Sequence, residues 1–160
     1  MMLMGISMLV VALDQLTKFL VLNSMYVNES VPLLPNLLYL TYIQNPGTAF
    51  GLMSNMETLV RIPFFIGATV AATFIVYMYQ RLIPPERIYT RMALGLVWGG
   101  ALGNLVDRLL YGKVIDFIEM RYHEFEWFPY IFNVADSCIT VGISFLLIEF
   151  IANHRKKSIA

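Results

Sequence analysis

Residues 89–110 read YTRMALGLVWGGALGNLVDRLL, a mostly apolar stretch in which Gly95, Gly99 and Gly103 recur at every fourth position. A helix needs about 20 mostly apolar residues to cross a bilayer. Glycines at a repeated G-x-x-x-G spacing let helix backbones approach closely in lipid. The stretch therefore predicts a transmembrane helix whose glycine face packs against another helix.

Three further stretches are long and apolar enough to cross a membrane, so the predicted spans are about residues 2–22, 58–79, 89–110 and 134–152. Of the 160 residues, 58% are hydrophobic and 14% charged, against about 45–50% and about 25% in soluble domains. We expect an all-α membrane protein with four transmembrane helices, formed as a single integral-membrane domain over residues 1–160.

Basic residues predict the orientation of these spans. The segment between the second and third spans holds Arg81, Arg87 and Arg91, and the tail after the fourth span contains 154–157, His-Arg-Lys-Lys. Residues 23–57 contain no Lys or Arg. Loops rich in Lys and Arg stay in the cytoplasm, so both termini are expected inside and the two longer loops outside. The formal net charge of zero excludes a basic field for nucleic acid.

The two outer loops have their own patterns. Residues 38–43, Leu-Tyr-Leu-Thr-Tyr-Ile, have the composition of a β-strand. Phe125, Trp127, Phe128 and Tyr130 cluster in the second loop, and amphipathic aromatic residues favour the headgroup level. We predict a small extracytoplasmic β element and an aromatic outer loop on the membrane surface.

Two aspartates stand at the edges of apolar runs. Asp116 lies in residues 114–118, Val-Ile-Asp-Phe-Ile, and Asp136 in residues 132–137, Phe-Asn-Val-Ala-Asp-Ser. A carboxylate at the edge of hydrocarbon is costly and indicates a functional site. Two carboxylates held close together share one proton, which suits an acid/base pair that activates water.

The residues alone leave several functions open for this pair. Asp116 and Asp136 suit aspartyl peptide hydrolysis, a proton relay in a small proton-coupled transporter, or a non-catalytic scaffold. A further alternative is a serine peptidase in which Lys18 or Lys113 activates Ser137, although nothing in the sequence brings either lysine to Ser137.

Other polar residues accompany the apolar stretches. Asp14 and Lys18 share a helix face, which favours a structural ion pair, while Lys18 is also suited to position a substrate.

Asn104 and Arg108 lie on one face of the third span. Arg108 either binds a carboxylate, phosphate or peptide carbonyl or extends to the membrane interface. Residues 45–51, Asn-Pro-Gly-Thr-Ala-Phe-Gly, predict a tight turn at the outer surface.

Metal binding is not expected. Cys138 is the only cysteine and lies in an apolar stretch, and His123 and His154 are far apart in sequence without Cys partners.

The chain resembles the bacterial lipoprotein signal peptidases, also called signal peptidase II, over essentially its whole length. Five motifs carry the resemblance in order: 14–18 (Asp-Gln-Leu-Thr-Lys), 45–51, 100–108 (Gly-Ala-Leu-Gly-Asn-Leu-Val-Asp-Arg), 114–117 and 132–137. Each motif is weak alone, but together they are specific, and no motif position departs from the family pattern.

The resemblance implies an aspartic endopeptidase that removes the signal peptide of diacylglyceryl-modified prolipoproteins, cutting before the lipidated cysteine. It implies a multi-pass protein of the bacterial inner membrane, a monomer among membrane lipids, with its site toward the periplasm, no cofactor, and inhibition by globomycin. The residue roles it implies are catalysis by Asp116 and Asp136, substrate binding by Asn45, Gly47, Asn104, Arg108, Asn133 and Ala135, and support by Asp14 and Lys18.

Overall fold

The structure, a computed structural model, describes residues 2–47, 57–121 and 131–159, with side chains up to Ala152 in the last helix. Its four helices are α1 (Met2–Ser24), α2 (Thr58–Leu82), α3 (Ile88–Tyr111) and α4 (Val134–Ile159). All four apolar stretches predicted from the sequence are therefore helical, and each helix contains the predicted span.

Three of these helices are long and apolar enough to cross a membrane: α1, α2, and α4 as far as Ala152. Helix α3 is more polar and carries the buried side chains of Asn104 and Asp107. It packs against α1, α2 and α4, so its neighbours cover much of its surface. A helix at the centre of a bundle can bury polar groups that pair with one another, which explains its lower hydropathy.

The glycines of α3 allow this central packing. A Cβ added at Gly99 would lie 2.8 Å from the Cβ of Val10 and 2.9 Å from the Cα of Ser7. At Gly103 it would lie 2.6 Å from a carboxylate oxygen of Asp14. The predicted glycine face is confirmed, and its partner is α1.

A four-stranded antiparallel sheet lies at one end of the bundle, in the order β1 (Ser30–Leu34), β2 (Leu38–Asn45), β3 (Val114–Met120) and β4 (Ile131–Phe132). The strand predicted over residues 38–43 is confirmed as part of β2. The sequence did not predict β3, whose partner β2 is about seventy positions away in the chain.

The sheet packs onto the end of α1. Val21 forms a buried apolar cluster with Tyr42, Ile115 and Phe117. Helix α3 ends at Tyr111, and the next residue, Gly112, adopts φ 69° and donates its N–H to the Arg108 carbonyl at 3.0 Å. Glycine adopts this left-handed conformation at little cost, and the turn leads the chain directly into β3. The predicted aromatic loop over residues 125–130 lies outside the described residues.

The close contact of α3 with α1 predicts a stability effect. Gly99→Ala should lower the free energy of unfolding in detergent by about 1–3 kcal/mol, because the new methyl group overlaps Ser7 and Val10. Gly67 in α2 has nothing within 4 Å of the corresponding position, so Gly67→Ala is the matched control and should be neutral or stabilise by about 0.4–1 kcal/mol. Equal effects of the two substitutions would contradict the described packing.

Candidate active site

Asp116 lies in the middle of β3, opposite Ile43 of β2, and is 2% exposed. Two asparagines bind its carboxylate. The Asn45 Nδ2 donates to Oδ2 at 2.9 Å, and the Asn133 Nδ2 donates to Oδ1 at 2.7 Å. Three segments of the chain therefore meet at this carboxylate.

Asp136 lies in the first turn of α4, three residues after Asn133. The Asp136 N–H donates to Asn133 Oδ1 at 2.9 Å, and the Asn133 N–H donates to Asp136 Oδ2 at 3.3 Å. This reciprocal pair is a capping box, which satisfies the free N–H groups at a helix start. The Asn104 Nδ2 donates to the other oxygen, Oδ1, at 2.7 Å. Asp136 is partly exposed, so water can reach it.

Asn133 joins the two aspartates. It is fully buried, and its amide also contacts Asn104 Oδ1 at 3.1 Å and the Ile115 carbonyl at 3.2 Å. A buried amide with several partners is held in one orientation. Asn133 therefore holds the Asp116 carboxylate of β3 and the Asp136 carboxylate of α4 in a defined relation.

The environment changes the acidity of Asp116, which lies in β3, outside the helices. Burial raises the pKa of its carboxyl group from 3.8 to about 7, and the nearby Asp136 carboxylate contributes to the rise. The hydrogen bonds from Asn45 and Asn133 oppose the rise in pKa because they favour the ionised form. The pKa of Asp116 therefore lies close to neutral pH.

A buried ion cluster lies beneath these residues. Lys18 Nζ is 2.8 Å from Asp14 Oδ2 and 2.9 Å from Asp107 Oδ2, and all three side chains are at most 2% exposed. The same Nζ donates to Asn104 Oδ1 at 3.1 Å. The ion pair expected from the spacing of Asp14 and Lys18 is present, and Asp107 extends it.

The carboxylates of this cluster also hold the backbone of the site. Asp14 Oδ1 accepts the Ala135 N–H at 3.0 Å, and Asp107 Oδ2 accepts the Ile115 N–H at 2.9 Å. Ala135 precedes Asp136 and Ile115 precedes Asp116. The cluster thus fixes the backbone next to each aspartate.

Sequence reasoning missed the role of Asp107. It stands in the 100–108 motif, but it was given no function there. The sequence feature that could have identified Asp107 is its carboxylate within a predicted span, because such a carboxylate is costly unless it is paired. Its partner Ile115 lies on the next element of the chain, beyond the turn at Gly112.

Arg108 lies above the site with several partners. Its two terminal nitrogens donate to the Asn104 carbonyl at 3.1 Å and the Gly47 carbonyl at 3.2 Å. Its guanidinium lies 3.9 Å from the ring centre of Phe65 in α2, and its buried Nε has no partner among the described residues. Gly47 in turn donates its N–H to Asn45 Oδ1 at 2.9 Å. Arg108 is held inside the protein by these contacts and is not extended to the interface.

The structure brings all ten residues singled out in the sequence into one hydrogen-bonded network: Asp14, Lys18, Asn45, Gly47, Asn104, Arg108, Asp116, Asn133, Ala135 and Asp136. Ser137 also contacts this network, but not through Lys18. Its hydroxyl donates to the Asn133 carbonyl at 2.9 Å, while Lys18 is bound by Asp14, Asp107 and Asn104. The described contacts give no support to a Ser137–Lys18 pair.

Within the described ranges, no group of three or more His, Cys, Asp and Glu side chains is suited to hold a metal ion. Two carboxylates with amide and guanidinium donors around them are suited to proton transfer.

Comparison with known proteins gives a consistent result. The family model described as signal peptidase (SPase) II matches residues 6–152. The lipoprotein signal peptidase of Syntrophotalea carbinolica is 44% identical over 143 residues, covering 89% of this chain and 86% of the relative. That of Moorella thermoacetica is 41% identical over 141 residues, covering 88% and 87%.

Two solved structures, each described as a bacterial membrane enzyme determined by the in meso method, have a similar fold. One has a TM-score of 0.84 and 30% identity, covering 97% of this chain and 90% of the other. The second has a TM-score of 0.77 and 31% identity, covering 92% and 91%.

The buried ion cluster predicts a large effect of removing its cation. Lys18→Met leaves two buried carboxylates without their counter-ion and should lower the free energy of unfolding by about 3–5 kcal/mol. Lys113 is exposed, so Lys113→Met is the matched control and should change stability by about 0.5 kcal/mol or less. Denaturant titration in detergent measures both. A Lys18→Met protein as stable as the control would show that the cluster does not stabilise the fold.

Proposed function

We propose that this chain, which belongs to the signal peptidase II family, hydrolyses a peptide bond of its membrane-bound substrate with Asp116 and Asp136 as an aspartyl pair. Signal peptide removal from prolipoproteins is the activity of the family. The observation that carries the catalytic proposal is the contact of both carboxylates with Asn133, combined with a pKa of about 7 for Asp116.

The different environments of the two aspartates suggest their roles. Asp116 is buried and its raised pKa keeps it protonated below about pH 7, so it is suited to donate a proton to the scissile carbonyl oxygen. Asp136 is partly exposed and accepts a bond from Asn104, so it is suited to take a proton from water. Paired carboxylates that lie in different environments divide acid and base roles in this way.

The proposed reaction balances without a cofactor. The water oxygen attacks the carbonyl carbon while Asp136 takes the water proton and Asp116 protonates the carbonyl oxygen. The tetrahedral intermediate then collapses: the C–N bond breaks, the leaving amine takes the proton from Asp136, and Asp116 regains its proton from the hydroxyl group. Both carboxyl groups return to their starting states.

The proposed substrate is a diacylglyceryl-modified prolipoprotein, cut just before its lipidated cysteine. The substrate peptide would lie in a cleft beside the two aspartates. The residues that would line this cleft are Asn45, Gly47, Asn104, Arg108, Asn133 and Ala135. The Nε of Arg108, which has no partner among the described residues, supports this role, because a buried donor without a partner is costly until a ligand carbonyl accepts from it. Globomycin would bind at the same place, and the protein would act as a monomer.

The proposed setting is the bacterial inner membrane. Four spans, including α3, would cross it as one domain over residues 1–160, with both termini cytoplasmic. The site would face the periplasm, because the basic residues between α2 and α3 lie at the opposite end of the bundle. The alternative of a proton-coupled transporter is not supported, since the matching relatives are peptidases.

Replacing either aspartate tests the catalytic pair. Asp116→Asn and Asp136→Asn should each lower cleavage of a diacylglyceryl-modified prolipoprotein by about 10³-fold or more, because each removes a proton-transfer group used in both steps. Ser137→Ala is the control and should retain most activity. A gel-shift assay measures cleavage, and circular dichroism and size exclusion in detergent establish folding. Folded Asp→Asn variants that still cut, or an inert Ser137→Ala, would contradict the proposal.

The pH dependence tests which aspartate holds the proton. Asp116 must be protonated, so cleavage should fall as pH rises through about 7. Asn45→Ala removes a hydrogen bond that lowers the pKa of Asp116, so the alkaline limb of the kcat/KM profile should move to higher pH, whatever the loss in maximal rate. An alkaline limb that stays in place or moves down would assign the proton to another group.

A further inference from the structure

A groove lies between α1 and α2, at the end of the bundle opposite the aspartates. Its volume is about 500 Å³, within the range of about 300–1,000 Å³ that is typical of ligand sites. Its lining is almost entirely apolar and comes from three helices: Leu3 and Met4, a face of α2 from Val70 to Gln80, and Trp98 of α3.

The groove forms because α2 leaves space beside α1. Helix α2 packs chiefly along α3, and the indole N–H of Trp98 donates to the Thr73 hydroxyl at 2.9 Å. This bond fixes the Trp98 ring as one wall. The buried side chains of Leu3 and Val76 belong to the apolar cluster beneath, so the groove has a packed floor.

The length of the groove corresponds to one leaflet of a bilayer. Its lining on α2 runs from Val70 to Gln80, which is about 15 Å at 1.5 Å per residue. The hydrocarbon core of a bilayer is about 30 Å thick. An occupant that fills the groove therefore has the length of a chain in a single leaflet.

A cation lies at the polar end of this groove. The Arg81 guanidinium is 4.8 Å from the ring centre of Tyr77, a lining residue. Two neighbouring arginines have partners: Arg87 pairs with Glu149 at 3.4 Å, and a terminal nitrogen of Arg91 donates to the Ile83 carbonyl at 2.9 Å. Among the described side chains, Arg81 has no carboxylate partner and is exposed. It is free to bind an anion at the groove's end.

We propose that this groove binds one anionic phospholipid of the cytoplasmic leaflet, with an acyl chain between α1 and α2 and the phosphate at Arg81. Basic pockets between transmembrane helices on the cytoplasmic side bind anionic headgroups in this manner. The lipid fills the space that α2 leaves beside α1 and supports the packing of α2. The proposal concerns a surface remote from the aspartates and does not depend on their chemistry, while its assignment to the cytoplasmic leaflet rests on the proposed orientation.

Trp98 provides the readout. The chain has two tryptophans, and Trp127→Phe leaves Trp98 as the sole one. This single-tryptophan protein is reconstituted into bilayers that mix phosphatidylglycerol and phosphatidylcholine, with bromine on the acyl chains of one lipid and then of the other. Bromine quenches indole fluorescence on contact, so the two series give the relative affinity of the lipids at Trp98. We expect phosphatidylglycerol to be favoured about fivefold, corresponding to about 1 kcal/mol for one basic residue.

Two pairs of variants in the same background decide the proposal. Arg81→Gln should abolish the lipid preference, while Lys113→Gln, at the other end of the bundle, should keep it. Val70→Phe should reduce quenching by either lipid because it fills the groove, whereas Val141→Phe should not. Val70 and Val141 are matched, being 61% and 59% exposed, and Val141 does not line the groove. Equal affinity for the two lipids in the parent, a preference that survives Arg81→Gln, or quenching unchanged by Val70→Phe would each overturn the proposal.

Discussion

The ion cluster of Asp14, Lys18 and Asp107 is the constraint on which the site depends. Each of these charges is almost completely excluded from solvent, and a buried charge costs several kcal/mol unless it is paired with good geometry. The cluster can satisfy its charges only when α1 and α3 are in register, which the glycines of α3 permit. Asp14 Oδ1 and Asp107 Oδ2 also accept the N–H groups of Ala135 and Ile115. Packing of the bundle therefore determines where the two aspartates lie.

Asn133 links the two aspartates, Asp116 and Asp136, whose neighbouring backbone the ion cluster fixes. It caps α4 through Asp136 and binds the carboxylate of Asp116 with the same side-chain amide group. One residue thus serves both as the start of a helix and as the link between two elements. Burial raises the pKa of Asp116, and the hydrogen bonds from the amide donors around it lower that pKa. The balance leaves the pKa of Asp116 at about 7. The proposed division of acid and base roles follows from this balance.

The fold was predictable where the signal is local. Hydropathy located all four described helices, and the strand-like composition of residues 38–43 located β2. Asp116 and Asp136 were recognisable because a carboxylate at the edge of an apolar run is unusual. Strand β3 was missed because its pairing with β2 joins residues far apart in sequence, and Asp107 was missed because its partners lie on α1 and β3. The centrality of α3 also depends on tertiary packing, so its polar content could not be interpreted from its own sequence.

The proposed mechanism requires that Asp116 holds a proton that is exchanged near neutral pH. Infrared difference spectroscopy of the purified protein, titrated between acidic and alkaline pH, measures this directly through the C=O stretch of a protonated carboxyl group. We expect one such band that titrates with a midpoint of about 7 and is lost in Asp116→Asn. A band that does not titrate near neutrality, or one that persists in that variant, would contradict it.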